Sequence, residues 1–315
     1  MRVDKNNLYQ LLRGGRLRVA VVGTLKFLDP AVRMCHAAGI PLASSYPIRR
    51  YGQAFRWLAS EDFRRTHLVY QFGAGGIKHM ISCSCLGKPL IKHWIGTDAH
   101  RTVEAPGALA AMRRVVYRRV PAYHLAVHAD VARRLEGIGI RTRSIIRTVT
   151  ELSHARPSPL PERFTVLGYW RRWRKRLYNG HLFLELARQC PHMRFWVVGS
   201  DGDDEEVPPN VEFLGYREDM DAVYRQCSVL VRMPETDGAA NMPMEMLARG
   251  RHVIYNRPHP HCLLARTLEE ARAELDKLAR TCTVNQAGAD YVAQQLSLPR
   301  EAAKFRRALE QWLTE

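Results

Sequence analysis

Residues Ser228–Asn256 read SVLVRMPETDGAANMPMEMLARGRHVIYN. Val229-Leu230-Val231 is a short apolar run with the look of a buried strand. Glu235-Thr236-Asp237-Gly238 is a polar, glycine-containing turn, and Asn241-Met242-Pro243 reads as the start of a helix. Asn is a favoured N-cap, and Pro is tolerated in a first turn, where its missing N–H is no loss. Glu245 is expected in that first turn, where the helix dipole favours an acid. Gly250 ends the helix and His252-Val253-Ile254-Tyr255 begins the next strand. The combination predicts a cradle for a phosphate-bearing ligand: free N–H groups face the anion and the carboxylate holds a ribose hydroxyl.

The same alternation extends on both sides of this stretch. Upstream lie the strand-like runs Phe164–Tyr169, Met193–Gly199 and Pro209–Gly215, with a helix expected over Met220–Gln226. Further upstream, Arg18–Gly23, Ile40–Ala43, His67–Phe72, Lys88–Trp94, Tyr123–Val127 and Ser144–Ile146 read as six more strands, with a helix over Pro30–Ala38. Strands separated by helical stretches imply crossover connections and a parallel sheet covered on both faces. The 315 residues suit two such α/β domains, doubly wound and Rossmann-like. The first is expected over 1–150 and the second over 163–298. The polar, proline-containing segment 151–162 is the expected linker, within a run without periodicity from Thr148 to Pro161. Residues 299–315 read as a terminal helix crossing back to the first domain, with Phe305, Leu309 and Leu313 at helical spacing as its packing face.

Lys plus Arg number 48 against 31 Asp plus Glu, a net charge of +17 that favours anionic partners: nucleoside diphosphates, nucleic acid or an anionic membrane surface. Seven cysteines, with Cys83-Ser84-Cys85 lacking zinc-knuckle or redox spacing, point to reduced thiols. No run approaches ~18 apolar residues and no signal peptide is evident. The expected location is cytoplasmic, at most peripheral to the inner face of a membrane. Gly23-Thr24-Leu25 has no second glycine two residues on and no helix is expected at once, so a nicotinamide cofactor is not expected. Gly73-Ala74-Gly75-Gly76 closes a strand and reads as a plain turn ahead of the alternative, a close approach of backbone to an acceptor. His259, His261 and Cys262 lie close together, but two prolines stiffen their loop and no second ligand cluster accompanies them.

The acid pair resembles the donor signature of retaining, family-4-type glycosyltransferases (glycosyl transferases group 1) of the GT-B fold. That signature is an acid, seven intervening residues, then a Glu on a helix ending in A-x-G. Here it is Asp237-Gly-Ala-Ala-Asn-Met-Pro-Met-Glu245, then Ala248-Arg249-Gly250. The run Pro209-Asn210-Val211-Glu212-Phe213-Leu214-Gly215 and the segment Val127–Ile140, with its L-x-x-x-G-I ending, also match the family in order. The likeness implies two Rossmann-like domains facing a cleft and transfer of a sugar from a nucleotide donor to a hydroxyl with retention of configuration. By it, Glu245 binds the donor ribose, Asp237 the transferred sugar, and the amides of Gly238, Ala239, Ala240 and Asn241 face the pyrophosphate. Gly199 and Gly215 complete the donor side. The family's first acid is usually Glu, so Asp237 is a departure.

The likeness also implies that His93, at the carboxyl end of a strand, lies beside the sugar in the run His93-Trp94-Ile95-Gly96-Thr97-Asp98, with Asp98 nearby. The alternative for His93 is a packed histidine satisfied by backbone, and for Asp98 a helix N-cap. Departure of a nucleoside diphosphate needs cations. The family takes an Arg and a Lys from the first loop of its second domain. Here Asn179 stands where that Lys would, and the cations lie inside Trp170–Gly180, with Arg172, Lys175 and Arg176 as candidates. The family needs no divalent ion, so no cofactor is implied beyond the nucleotide sugar as co-substrate. The acceptor stays open among a lipid-linked glycan, a small molecule and a polynucleotide base. A nucleotide-sugar epimerase on the same scaffold and a non-catalytic basic module for nucleic acid or membrane surfaces remain as alternatives.

Overall fold

The computed structural model describes residues 4–23, 25–47, 56–73, 77–147, 152, 155–202, 206–235, 237 and 240–315. The chain divides into two compact units, Met1–Thr150 with Leu298–Glu315, and Glu151–Ser297. Each is built on a six-stranded sheet whose strand pairs all run parallel.

In the first unit the strands are β1 (Val19–Gly23), β2 (Leu42–Pro47), β3 (Leu68–Phe72), β4 (Leu90–Trp94), β5 (Tyr123–Ala126) and β6 (Ser144–Ile145), in the order β2-β1-β3-β4-β5-β6. Every residue of β1, β3 and β4 is buried, because helices cover both faces of a parallel sheet. The edge strand β2 is half-exposed, which accommodates Ser44 and Ser45 in its run. Helix α1 (Lys5–Arg13) precedes the sheet, and α2 (Leu25–Ala37) follows β1 at once with Pro30 inside it. The helix expected from Pro30 therefore starts a turn and more earlier. Next come α3 (Glu61–Arg65), α4 (Ile77–Cys85), α5 (Gly96–Val103), α6 (Ala108–Arg119) and α7 (Ala129–Glu136).

The last helix of the chain, here α13 (Leu298–Thr314), belongs to this unit and packs on α1 and α2. Phe305, Leu309 and Leu313 are buried, with the Phe305 ring 4.9 Å from that of Tyr70. Arg306 donates to the Ala38 carbonyl at 3.0 Å, satisfying a group at the end of α2. Buried Glu301 accepts from the Arg147 amide at 2.8 Å and pairs with Lys304 at 2.5 Å.

The second unit holds β7 (Thr165–Tyr169), β8 (Arg194–Val198), β9 (Val211–Gly215), β10 (Val229–Arg232), β11 (His252–Tyr255) and β12 (Leu263–Leu264), in the order β12-β11-β10-β7-β8-β9. Its helices are α8 (Gly180–Gln189), α9 (Met220–Arg225), α10 (Asn241–Ala248), α11 (Leu268–Thr281) and α12 (Gln286–Gln295). Alternate strand residues feed opposite faces. Val166, Val197, Val229 and Val231 pack with Phe183, Leu184 and Leu275 of α8 and α11. Leu167, Val198, Leu230 and Val253 pack with Met246, Leu247 and Val292 of α10 and α12. Gly168 is required by this closeness, since a Cβ there would sit 2.6 Å from the Phe183 ring. The buried Arg251 guanidinium bonds Ser158 and Pro159 as well as the Tyr224 and Arg225 carbonyls. The end of the expected linker is thus stapled to the second unit.

Candidate active site

In the second unit the strand order reverses between β7 and β10, and such a switch point opens a crevice outside the strand carboxyl ends. The two ends are Tyr169-Trp170 and Arg232-Met233, and a pocket is lined by them together with Tyr178 and Asn179. Arg232 is one of the residues that sequence reasoning missed. Its side chain is 8% exposed, and its Nε donates to Asp237 Oδ2 at 2.7 Å, with Asp237 itself 9% exposed. The Tyr255 hydroxyl donates to the same oxygen at 2.9 Å, and the guanidinium lies 5.3 Å from the Tyr178 ring centre. Burial pulls the Arg232 pKa down, but the adjacent carboxylate outweighs it and holds the guanidinium above its ordinary value. Burial and then Asp237 push Tyr255 up, so it stays a proton donor. A strand-end Arg among Val and Leu looks like a solvated strand terminus in sequence; its spacing of five from Asp237 was the available signal.

Glu245 is half-buried on α10, and its Oε2 accepts from the Tyr224 hydroxyl. Tyr224 is pushed well up, first by burial and then by Glu245. Arg249 donates to the Glu245 carbonyl at 2.8 Å, holds Asp221 at 2.6 Å and lies 5.0 Å over the Tyr224 ring. Two local expectations need correction. Asn241 is the first helical residue, and Ala240 is the N-cap, with no side-chain cap bond. Glu245 consequently falls in the second turn, where its fixed partner is the Tyr224 hydroxyl. Gly238 and Ala239 lie outside the described residues.

The basic loop sits at the same strand ends. Arg172–Arg174 forms a 3₁₀ turn, and Arg171 stacks over the exposed Trp173 ring at 5.4 Å. Asn179 adopts the left-handed region, φ 50°, which Asn tolerates better than Lys, and donates to the Met233 carbonyl at 2.9 Å. The Glu235 amide bonds the Leu177 carbonyl at 2.9 Å. These bonds tie the cationic loop to the acid loop. Of the three cationic candidates, Arg176 is 92% exposed and lies 3.6 Å from Glu235. The Lys175 stem lies against Gly180, and Arg172 is exposed on the 3₁₀ turn. Gly199 and Gly215 have positive φ, and a side chain on either would collide with the Trp170 carbonyl or with Asp201. Chain packing alone demands these glycines. Among the described residues the Trp170 indole N–H and the Ser200 hydroxyl are buried with no hydrogen-bond partner.

In the first unit, His93 and Asp98 have structural partners. His93 is fully buried on β4; its Nε2 donates to the Ile146 carbonyl at 2.8 Å, and its Nδ1 accepts from the Tyr70 hydroxyl at 2.7 Å. Burial drives its pKa down to about 3. This is the packed histidine, with no exposed atom to offer a sugar, and the sugar-side role is not carried forward. Asp98 accepts from the Ile95 amide at 2.8 Å at the start of α5 and pairs at 2.5 Å with Lys92, itself fully buried. Lys92 also donates to the Gly73 carbonyl and lies 4.6 Å from the Trp94 ring, so β4 carries a closed ionic network there. Residues 74–76 lie outside the described residues. No group of three or more His, Cys, Asp or Glu suited to a metal occurs among the described residues. None of the seven cysteines forms a disulfide among the described residues.

Residues 164–268 match the family model "Glycosyl transferases group 1". Comparison with curated proteins gives no match. Among solved structures, HepE from Anabaena in complex with UDP and glucose aligns with a TM-score of 0.69 at 13% identity, covering 94% of this chain and 100% of that one. Sucrose-phosphate synthase from Thermosynechococcus elongatus aligns with a TM-score of 0.71 at 13% identity, covering 95% and 100%. A glycosyltransferase from Rickettsia africae gives 0.69 at 11% identity, covering 95% and 98%. At such identities the alignments establish the fold. The chain therefore has the GT-B fold, and its residues 164–268 match the model of the glycosyl transferases group 1 family.

Proposed function

We propose that the protein transfers a sugar from a nucleoside diphosphate sugar to an acceptor hydroxyl, with retention of anomeric configuration, and that the donor binds at the β7/β10 switch point of the second unit. The observation that carries the reading is the pair of pre-set acids, Asp237 clamped by Arg232 and Tyr255, and Glu245 fixed by Tyr224. Among the described residues each carboxylate has one oxygen held by protein partners, and the second is the one proposed to accept a sugar or ribose hydroxyl. Carboxylates whose rotamers are locked lose little freedom on binding.

As the glycosidic bond breaks, negative charge grows on the departing diphosphate. Arg172, Lys175 and Arg176 on the tethered loop offset that charge without a divalent ion. The departing phosphate oxygen takes the proton of the acceptor hydroxyl on the same face of the sugar. HepE, of the same fold, is seen with UDP-glucose, and a uridine donor is the first to try. The test is calorimetric titration with UDP, GDP, ADP and CDP and their glucose conjugates. One base is expected to bind, and Glu245→Ala to weaken it about tenfold, the loss of one charge-assisted hydrogen bond. Absence of binding by all eight ligands ends this reading. Consumption of a bound donor without any acceptor would indicate an epimerase instead.

A further inference from the structure

We propose that the outward face of α6 in the first unit is a docking surface for an anionic lipid bilayer. On this helix Leu109, Met112 and Val115 are 57%, 50% and 42% exposed, while Ala110 and Tyr117 face the core. A 3.6-residue period places the three aliphatics within an arc of about 120°. Arg113 lies on one flank of that arc and Arg118 on the other, with Arg119 at its end. α6 contains four arginines and no acid. Arg114 is spoken for, donating to the carbonyls of Thr102, Val103 and Ala105 beyond the end of α5. α4 packs beside α6, and Ile81 on α4 and Leu86 just after it are 40% and 50% exposed. Five of the nine large apolar side chains exposed among the described residues thus belong to this neighbourhood, so the exposure is concentrated rather than scattered.

An aliphatic arc bordered by arginines suits the headgroup–acyl boundary, where apolar side chains enter the hydrocarbon and guanidinium groups meet lipid phosphates. A nucleic acid would satisfy the arginines but leave the aliphatics wet, and the arc presents no aromatic ring for a base to stack on. A second copy on a twofold axis would set arginines against arginines. The net charge of +17 supplies long-range attraction to the anionic leaflet. No helix among the described residues is long and apolar enough to cross a membrane, so the contact is a surface one.

The inference stands apart from the sugar-transfer reading, and its test is separate. The full chain is sedimented with vesicles of phosphatidylcholine alone and with equal parts phosphatidylglycerol. Wild type is expected on the mixed vesicles only, with binding that weakens as salt rises. Leu109→Ser/Met112→Ser is expected to lose about tenfold in vesicle affinity. Arg113→Gln/Arg119→Gln is expected to lose as much on mixed vesicles. Leu264→Ser, at an exposed leucine of the second unit, is expected to behave as wild type. Circular dichroism and nucleotide-diphosphate binding should be unchanged in all three. Wild type that ignores mixed vesicles, or a Leu109/Met112 variant that binds them as wild type does, overturns the proposal. So does a dimer of the wild type that this variant converts to monomer. A chain that binds vesicles but no nucleotide keeps this proposal and ends the other.

Discussion

Arg232 and Asp237 are both nearly out of solvent, and neither can lose its partner cheaply. Removing one member of a buried pair leaves the other desolvated and uncompensated, at about 3–5 kcal/mol. Arg232→Met should therefore lower unfolding free energy by about 3 kcal/mol. Adding Asp237→Asn should restore part of it, because the orphaned charge is gone. Chemical denaturation of the four proteins of this cycle reads the coupling directly; additive losses would show that the pair does not hold the acid. On the proposed function a stable double variant should still lack donor turnover, since the carboxylate proposed to receive the sugar hydroxyl is absent. His93 makes a second residue-level case. His93→Ala strands the Tyr70 hydroxyl and the Ile146 carbonyl in the core and leaves a cavity. It should cost about 2–4 kcal/mol in stability, while calorimetric nucleotide affinity stays at the wild-type value at a temperature where both are folded.

The loop between β7 and α8 shows how an element is aimed by two features that share one residue. Asn179 supplies a left-handed backbone and a side-chain bond to the end of β10. Asn179→Ala loses both and should destabilise by about 1–2 kcal/mol, whereas Asn179→Gly keeps the backbone geometry and should lie between. Thermal melts of the two variants separate the contributions; equal losses would mean that only the hydrogen bond matters. The sequence makes the elements themselves easy to see. Runs such as Val19–Gly23 and Val229–Arg232 are apolar throughout because both sheet faces are covered, and glycines punctuate their ends. The half-polar edge β2 and the two-residue β12 carry no such signal; the first was placed two residues early and the second was not anticipated. The acid pair was legible because its spacing fixes one turn and one helix. Its partners were not: Tyr224, Arg232 and Tyr255 come from three elements that only the folded sheet aligns. The structural partners of His93 and Asp98 were hidden for the converse reason. A polar residue at a strand end reads as ligand-facing, whereas Tyr70, Lys92 and the Ile146 carbonyl, remote or unremarkable in sequence, had already claimed both side chains.

Because the chain divides into two compact units, ligand and proton should act on different parts of it. His93 and His124 lie in the first unit, and burial lowers their pKa values from 6.5 to about 3 and about 4. The unfolded chain binds a proton at each below pH ~6.5, while the folded unit stays neutral until the lower values are reached. The stability tied to each neutral histidine is thus fully present above pH ~6.5 and is lost as pH falls toward 4 and then 3. The loss is about 1.4 kcal/mol per pH unit per histidine. If nucleotide binds the second unit as proposed, it adds RT ln(1 + [L]/Kd), about 2.7 kcal/mol at a hundredfold excess over Kd. Calorimetric melts should therefore resolve two transitions, one falling between pH 7 and 5 and insensitive to nucleotide, the other raised by nucleotide and less sensitive to that pH change. The assignment has an internal control in α13, since Phe305 packs on Tyr70 in the first unit. Phe305→Ala should lower the acid-sensitive transition by about 3–5 kcal/mol and leave the nucleotide-sensitive one in place. A single transition responding to all three changes would mean that the two units unfold as one and that neither histidine nor ligand can be assigned to its own part.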